Sequence, residues 1–340
     1  MSDIVTFNDA WDPAGKPADD DLDGFYDDAP AKAVYGLQGR YRGRYDFPAP
    51  PGYEIPKGQR GFMRMTNLAA AFSDQIRLQH WRERMLLLGL RADEVLVDEL
   101  FAQGLETMDP DEAKAWLEEH ADKAVDAAGG GQGARRGTAR HTMLQVYNES
   151  GVITGSRTMR MQMSSLWQAL AEHYLEPIPM MAERRVCNTA YGVIGTLDMG
   201  VRCKLTGQIG ILDLKTQRRF WSYQEIAGQQ EGYDSAEWMW EGPEDPRGCW
   251  VPAPRWNLIG RPGTEFEGRR VALLAHMPQA PGPEQLPVEI HEVALDYGHD
   301  VMMQALGNVR LRSLGASVAP GRRVGWKRER PKLVATVSSP

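Results

Sequence analysis

The chain has 340 residues, enough for one large domain or two ordinary ones, and 42% hydrophobic and 25% charged residues are typical of a protein with a substantial core. No apolar stretch approaches the length of a membrane span, no secretory signal is recognisable, and three scattered cysteines disfavour a disulfide scaffold or an iron–sulfur site. The expected compartment is therefore a reducing cytoplasm. The net charge of −7 by itself disfavours a nucleic-acid partner, because phosphate-binding surfaces are positive.

The charge is concentrated at the two ends of the chain. Residues 1–30 contain nine Asp and one Lys, and we predict that residues 1–60 form an acidic, largely flexible arm. Residues 308–332 contain eight basic residues and one Glu, and we assign residues 316–340 to a basic C-terminal tail. Because the two ends nearly cancel, a local positive surface is compatible with DNA whatever the total charge is.

Helical spacing of apolar residues dominates the region 61–130, which we expect to cap or flank a cleft. The predicted helices span 66–89, with Thr66 as N-cap, then 92–105 and 110–127. A glycine run over 129–133 follows a helix and lacks the Gly-Lys-Ser/Thr ending of a phosphate-binding loop. We therefore predict a hinge there, and no ATP-binding site.

Beyond the glycine run the pattern changes from helices to strands. The predicted order is helices over 136–148 and 157–175, strands over 180–188, 190–199 and 207–214, a helix over 222–238, strands over 271–276 and 288–293, and a helix over 295–313. This order predicts an α/β core over 131–315, with a central mixed β-sheet flanked by helices.

A carboxylate and an ammonium group end the third of these strands. Strand alternation places Asp213 and Lys215 on one face, a pair that suits a metal ligand beside a cation that stabilises a charged transition state. Asp198 ends the preceding strand, and two carboxylates on adjacent strands repel each other unless a cation neutralises them. The alternative for Asp213 and Lys215 is a surface ion pair, since one such tripeptide is expected by chance.

Four further residues are weaker candidates taken singly. Glu183 offers another oxygen ligand or pairs with a neighbouring Arg, and His141 offers a nitrogen ligand or has a structural role. Gln229 and Tyr233 are four residues apart on one helix face, which indicates either ordinary packing or support of the site.

Three later histidines, His276, His291 and His299, are another conceivable metal site. Glu289 shares a strand face with His291, but nothing in the sequence joins these two to the other histidines. We therefore expect structural roles for them.

Taken in order, five short motifs resemble the RecB-like branch of the PD-(D/E)XK nuclease superfamily, and most closely its stand-alone phage exonucleases. The motifs are Gly-Thr-x-x-His141, Glu183, Gly-x-x-Asp198, Asp213-Leu-Lys215 and Gln229-x-x-x-Tyr233. The resemblance covers roughly residues 135–295 and, more loosely, the predicted N-terminal helix Thr66–Leu88. It implies a restriction-endonuclease-like core that hydrolyses phosphodiester bonds of linear DNA, in phage DNA recombination, repair or degradation.

The resemblance also implies a role for each matching residue. The metal ligands would be His141, Asp198, Asp213 and the Leu214 carbonyl, with Glu183 as a supporting ligand. Lys215 would be the catalytic lysine, while Gln229 and Tyr233 would line the cleft and hold DNA or the lysine. The implied ion is Mg²⁺ or Mn²⁺, without an iron–sulfur cluster and without ATP.

The expected partner is DNA, single- or double-stranded, with free ends. The residues expected to bind it are Arg135, Arg136, Arg140, Thr216, Gln229 and Tyr233. A phage recombinase, a single-strand-binding protein and further copies of the chain are additional candidate partners, and we expect no membrane contact. Two alternatives stay open: a structure-dependent DNA endonuclease with the same site, and a catalytically inactive DNA-binding or interaction module on a nuclease fold.

Overall fold

A computed structural model describes residues 44–45, 47–56, 61–72, 76–130, 132–216, 222–242, 248–278 and 287–317. The strands are β1 (Arg44–Tyr45), β2 (Phe62–Arg64), β3 (Leu175–Asn188), β4 (Val193–Cys203), β5 (Ile209–Lys215), β6 (Trp238–Glu241), β7 (Cys249–Pro252), β8 (Val271–His276) and β9 (Glu289–Ala294). The helices are α1 (Met65–Ala70), α2 (Ile76–Ala92), α3 (Glu94–Ala102), α4 (Pro110–Ala127), α5 (Gln132–Ser150), α6 (Arg157–Glu172), α7 (Tyr223–Asp234) and α8 (Leu295–Ser317). The acidic segment 1–30 and residues 318–340 lie outside the described residues.

Within the described residues, nine strands form one sheet with the order β7-β6-β3-β4-β5-β8-β9 along its main path. β3, β4 and β5 are an antiparallel meander, β8 lies parallel to β5, and β9 returns antiparallel to β8. The short β2 lies parallel to the first residues of β4, and β1 pairs with β2. The predicted α/β class with a mixed central sheet is therefore confirmed.

Helices cover both faces of this sheet. On one face α5 and α6 pack on β4, β5 and β8, through a cluster that includes Leu144, Met163, Leu166, Leu212 and Leu273. On the other face α1, α7 and α8 pack on the same strands, through a cluster that includes Leu68, Ile226, Met302, Ile211 and Leu274. Each such buried side chain contributes about 1.5–3 kcal/mol to folding, so the central strands are held rigidly from both sides.

The helix predicted over 66–89 is two helices. α1 ends at Ala70 and α2 begins at Ile76. α1 continues directly from β2, its N-cap is Arg64 without a side-chain hydrogen bond, and the prediction of Thr66 as the cap was wrong. α1 is buried against the sheet and against α7 and α8, so residues 61–72 are part of the same core as the sheet.

Part of the predicted N-terminal arm packs on the sheet. Phe47 is buried, and its ring meets the rings of Trp240 and Trp250 edge-on with centroids 4.7 and 5.4 Å away. Trp250 Nε1 donates a hydrogen bond to the Pro48 carbonyl at 2.7 Å. Both tryptophans lie on β6 and β7, two short strands that the sequence pattern did not reveal.

The helices α2, α3 and α4 follow the predicted helical region closely. Asp93 and Asp109 cap α3 and α4 by accepting hydrogen bonds from backbone N–H groups of the first turns. A Cβ on Gly89 would lie 1.7 Å from the Ala124 carbonyl oxygen, so glycine is what lets α2 and α4 approach each other. α5 begins at Gln132, inside the glycine run that was predicted as a hinge. Among the helices that the structure describes, none is long and apolar enough to cross a membrane.

The contact between α7 and α8 gives a stability prediction with an internal control. A Cβ on Gly298 would lie 2.2 Å from the Ala227 carbonyl oxygen, whereas a Cβ on Gly307 of the same helix meets nothing within 4 Å. Gly298→Ala should therefore lower the free energy of unfolding by about 1–3 kcal/mol through overpacking. Gly307→Ala should raise it by up to about 1 kcal/mol, because alanine is the better helix former. Urea unfolding measures both, and equal effects would contradict this packing.

Candidate metal centre

The candidate site lies where β4 and β5 separate. Their ladder ends at the pair Met199 and Leu212, and Asp198 and Asp213 are the next residues along the two strands. Asp198 Oδ2 accepts a hydrogen bond from the backbone N–H of Leu214 at 2.6 Å. Beyond the end of the backbone ladder, the Asp198 carboxylate therefore still links β4 to β5. The two aspartates are therefore held on neighbouring strands at the edge of an opening in the sheet.

Strand alternation in β5 matches the prediction from the sequence. Leu212 and Leu214 point into the cluster under α5 and α6, and Ile211 points into the cluster under α7 and α8. Asp213 and Lys215 therefore share the Ile211 side of the sheet. Both leucines and Ile211 are almost completely buried, which fixes the direction of the two polar side chains between them.

Two further side chains reach Asp198 from α5 and β3. His141 Nδ1 lies 3.0 Å from Glu183 Oε1 and 3.3 Å from Asp198 Oδ1. Glu183 falls opposite Asp198 in the register of β3 with β4. Taken together, one imidazole nitrogen and two carboxylate oxygens lie within 4.8 Å of one another, close enough to bind one ion.

The backbone at Glu183 is strained. Its φ is 52°, in the left-handed region, and β3 has an irregularity in its pairing just before Ala182. A non-glycine residue in this conformation costs on the order of 1–3 kcal/mol and persists only where the surroundings impose it. Buried neighbours on both sides hold this strand, so the strain turns the carboxylate toward Asp198 and His141.

Asp213 is a buried carboxylate in close contact with a lysine. Lys215 Nζ lies 2.7 Å from Asp213 Oδ2, a charge-assisted contact. The other oxygen, Oδ1, is buried and has no hydrogen-bond partner among the described residues. A buried carboxylate usually accepts several hydrogen bonds. One ammonium group therefore leaves an acceptor oxygen of Asp213 that a cation could bind.

The acidic groups of the site disfavour one another's ionisation. Burial, opposed by Lys215 and reinforced by Asp198, raises the pKa of Asp213 to about 6. Burial also raises the pKa of Glu183, against the opposing hydrogen bond from His141. For Asp198 burial acts in the same direction, but His141, Lys215 and the Leu214 N–H together bring its pKa below the usual range. Asp198 is thus the carboxylate that the protein keeps ionised.

The basic groups respond to the same charges. The charge of Asp198, opposed by burial, raises the pKa of His141 well above its ordinary value. Burial lowers the pKa of Lys215, but the charges of Asp213 and Asp198 raise it further, so that its pKa lies above the usual range. The protein therefore draws positive charge into this site, which is what a divalent cation would also supply.

A tyrosine and a glutamine of α7 close the site on the side of the helices. Gln229 Nε2 donates a hydrogen bond to the Tyr233 hydroxyl oxygen at 2.8 Å. Tyr233 is buried, and burial together with the charge of Asp198 raises the pKa of its hydroxyl well above the ordinary value, so it stays neutral. A Cβ on Gly195 would lie 2.4 Å from Tyr233 Cε1. The glycine three residues before Asp198 therefore makes room for this ring.

The residues expected to bind DNA differ in their exposure. Arg135 is exposed, with Nη1 3.5 Å from Asp126 Oδ1, and the side chain of Arg136 lies outside the described residues. Arg140 is buried, and its Nε donates a hydrogen bond to Gln162 Oε1 at 2.8 Å. Thr216 lies at the end of β5, with Oγ1 3.5 Å from where a Cβ on Gly137 would be. Of the two arginines whose side chains the structure describes, Arg135 is the exposed one.

The three later histidines, His276, His291 and His299, do not all lie apart from one another, as the sequence suggested. His276 and His291 lie together with Glu289 as a second group of ligating side chains, although the sequence joined only His291 and Glu289. His299 is separate, with its Nδ1 2.9 Å from the hydroxyl of Tyr191. The antiparallel register of β8 and β9 joins His276 to the other two residues, and the sequence alone does not specify that register.

Comparisons with known proteins assign no family: no family model matches the chain, and no curated protein matches it. Of the residues predicted from the sequence, the structure brings together His141, Glu183, Asp198, Asp213 and Lys215, with Gln229 and Tyr233 beside them. Leu214 contributes its backbone N–H, and a ligand role for its carbonyl stays a prediction. Because no family is assigned, the function of the chain is inferred from the arrangement of these residues.

Proposed function

We propose that the chain is a metal-dependent deoxyribonuclease of the RecB-like PD-(D/E)XK type that degrades linear DNA from its ends. The observation that carries the proposal is the convergence of a histidine, three carboxylates and a lysine at one opening of the sheet. Five motifs that are separated by up to 92 residues in the sequence meet there in the order and spacing of the family pattern. The mixed sheet between two helix layers is compatible with the restriction-endonuclease-like core that the resemblance implies.

The donor set fits Mg²⁺ or Mn²⁺. His141, Glu183 and Asp198 would hold the ion, and Asp213 would join them through Oδ1, which has no hydrogen-bond partner among the described residues. Carboxylate oxygens suit both ions, and the imidazole nitrogen makes Mn²⁺ the better match. When bound, the ion supplies a Lewis acid for the phosphodiester group.

The residues around the donors have separate tasks. Lys215 places a positive charge beside Asp213, where it can offset charge that develops on the phosphate in the transition state. Gln229 fixes the Tyr233 hydroxyl, and together they shape the wall of the site against β4. Arg135 is exposed near the start of α5, and its guanidinium could exchange its contact with Asp126 for a DNA phosphate.

Digestion of three DNA forms tests the proposal and separates it from the endonuclease alternative. End-labelled linear, nicked and covalently closed circular DNA are incubated with the protein and Mn²⁺. We expect loss of linear DNA and survival of the closed circle, because an exonuclease requires an end. Cleavage of the closed circle would favour the endonuclease. Binding of all three forms without any cleavage would favour the inactive module.

A further inference from the structure

The second group of side chains that could bind a metal ion lies on β9, the last strand of the sheet path, and on its neighbour β8. His276 and Glu289 are directly opposite each other in the antiparallel ladder, and His291 follows Glu289 by two residues on the same face. Glu289 Oε2 lies 3.7 Å from His276 Nδ1 and 3.2 Å from His291 Nε2. The register of two hydrogen-bonded strands thus places the three residues side by side on one face of the sheet.

These separations match those required of ligands to one transition-metal ion. With bonds of about 2.0–2.1 Å to nitrogen and oxygen, two ligands of a tetrahedral zinc ion lie about 3.3–3.4 Å apart. The carboxylate oxygen lies close to that separation from each imidazole, and all three ligand atoms lie within 4.8 Å of one another. Small side-chain rotations therefore suffice to bring the group onto an ion.

Burial is graded across the group. The His276 side chain is 9% exposed, whereas those of His291 and Glu289 are 42% and 57% exposed. One ligand is thus fixed in the protein and two face the solvent, so an ion can enter without opening of the fold. A solvent molecule could supply a fourth ligand on the exposed side of His291 and Glu289.

We propose that His276, Glu289 and His291 form a second metal site, selective for a borderline divalent transition-metal ion such as Zn²⁺, Co²⁺ or Ni²⁺. Two imidazole nitrogens and one carboxylate favour these ions over Mg²⁺ or Ca²⁺, which prefer oxygen ligands. The site is distinct from the candidate metal centre, and it does not depend on the proposed nuclease activity. It needs only the ladder between β8 and β9.

The location suggests what the ion does. His276 is paired with Lys215 in the parallel ladder between β5 and β8, so the second site lies on the strands that flank the end of β5. An ion held by β8 and β9 cross-links the two strands where the chain leaves β8. We expect it to stabilise this edge of the sheet, because a ligand that binds only the folded state adds to the free energy of unfolding.

Zinc titration of the untagged, EDTA-treated full-length protein tests the proposal without any measurement of DNA cleavage. We expect His291→Ala and Glu289→Gln each to remove one equivalent of calorimetrically detected Zn²⁺, with affinity at that site weakened by roughly a hundredfold or more. His141→Ala, at the other site, should keep that equivalent. His299→Ala is the matched control, because His299 is an exposed histidine outside the group.

The melting temperature provides the second measurement. Zn²⁺ should raise the melting temperature of His141→Ala but not that of the double variant His141→Ala/His291→Ala, in which both sites have lost a ligand, and His299→Ala should respond like the unmodified protein. Metal-free His291→Ala should melt like the unmodified protein because its side chain is half exposed. Equal zinc stoichiometry in the unmodified protein and His291→Ala would overturn the proposal. Loss of all zinc binding in His141→Ala would overturn it as well.

Discussion

Lys215→Met is expected to lower the rate of Mn²⁺-dependent digestion of linear DNA by about 10²–10³-fold while Mn²⁺ binding is retained. Methionine keeps much of the apolar stem of the side chain and removes only the ammonium group, which lies 2.7 Å from Asp213 Oδ2. Loss of one preorganised charge that acts on the transition state costs roughly that factor. Mn²⁺ affinity should be unchanged or higher, because the competing positive charge is gone.

Two measurements separate this result from a general defect. Calorimetric titration with Mn²⁺ reports binding, and release of acid-soluble nucleotides from linear DNA reports catalysis. Lys204→Met is the matched control, because Lys204 is a half-exposed lysine whose ammonium lies 3.6 Å from a glutamate outside the site. Full activity of Lys215→Met, or equal losses in both variants, would contradict the assigned role of Lys215.

The second large effect is a pair of opposite changes in stability. In metal-free protein at pH 7.5 we expect Asp213→Asn to raise the free energy of unfolding by on the order of 2–3 kcal/mol. Asp198→Asn should lower it. The two residues are neighbours of the same type in the same site, but the protein raises the pKa of Asp213 to about 6 and lowers that of Asp198.

The signs follow from proton binding in the folded and unfolded states. The unfolded chain loses the proton of Asp213 near pH 3.8 and the folded chain near pH 6, so stability falls as the pH rises through that window. Asparagine has no proton to lose, so Asp213→Asn avoids this fall in the free energy of unfolding. Below about pH 4, where Asp213 is protonated in both states, the variant should be no more stable than the unmodified protein. Asp198 is the reverse case: its ionised form stabilises the fold at neutral pH, and that contribution is lost as the pH falls.

Urea unfolding of the two variants at pH 7.5 and pH 4, with EDTA present, measures these differences. Asp300→Asn is the control, because Asp300 is exposed on α8 outside the site. Mn²⁺ should stabilise the unmodified protein more than either variant, since each variant lacks one carboxylate of the site. Destabilisation of the metal-free protein by Asp213→Asn would contradict the prediction. It would mean that neighbouring groups of the folded protein compensate the negative charge of Asp213.

The sequence indicated the site better than it indicated the architecture around it. Asp213 and Lys215 could be placed on one face of a strand because the alternation with Leu212 and Leu214 is a local property. The aspartate pair could be anticipated because each residue follows an apolar run predicted as a strand, although the structure places Asp198 inside β4, which continues to Cys203. His141 lies 57 residues before Asp198. Its local sequence did not indicate a site, and it was assigned to the site only from the order of the motifs.

The remaining features depend on contacts between distant segments. The sequence around Phe47 is rich in Pro and predicts a loop. Phe47 belongs to the core because its ring packs against Trp240 of β6 and Trp250 of β7, two strands distant in the sequence. The left-handed backbone at Glu183 has no signature in the residue type. The joining of His276 to Glu289 follows from the strand register, which is fixed by packing on both faces of the sheet and not by local propensity.

The most direct test of the central claim is the release of nucleotides from linear DNA by the unmodified protein and by Asp213→Asn, purified side by side. The site as described predicts release with Mn²⁺ and none with EDTA. It also predicts a loss of roughly a thousandfold or more in the variant, because without Asp213 the ion is bound more weakly and less well positioned to supply its several kcal/mol of transition-state stabilisation. Equal nucleotide release by the two proteins, or release that persists in EDTA, would contradict the account.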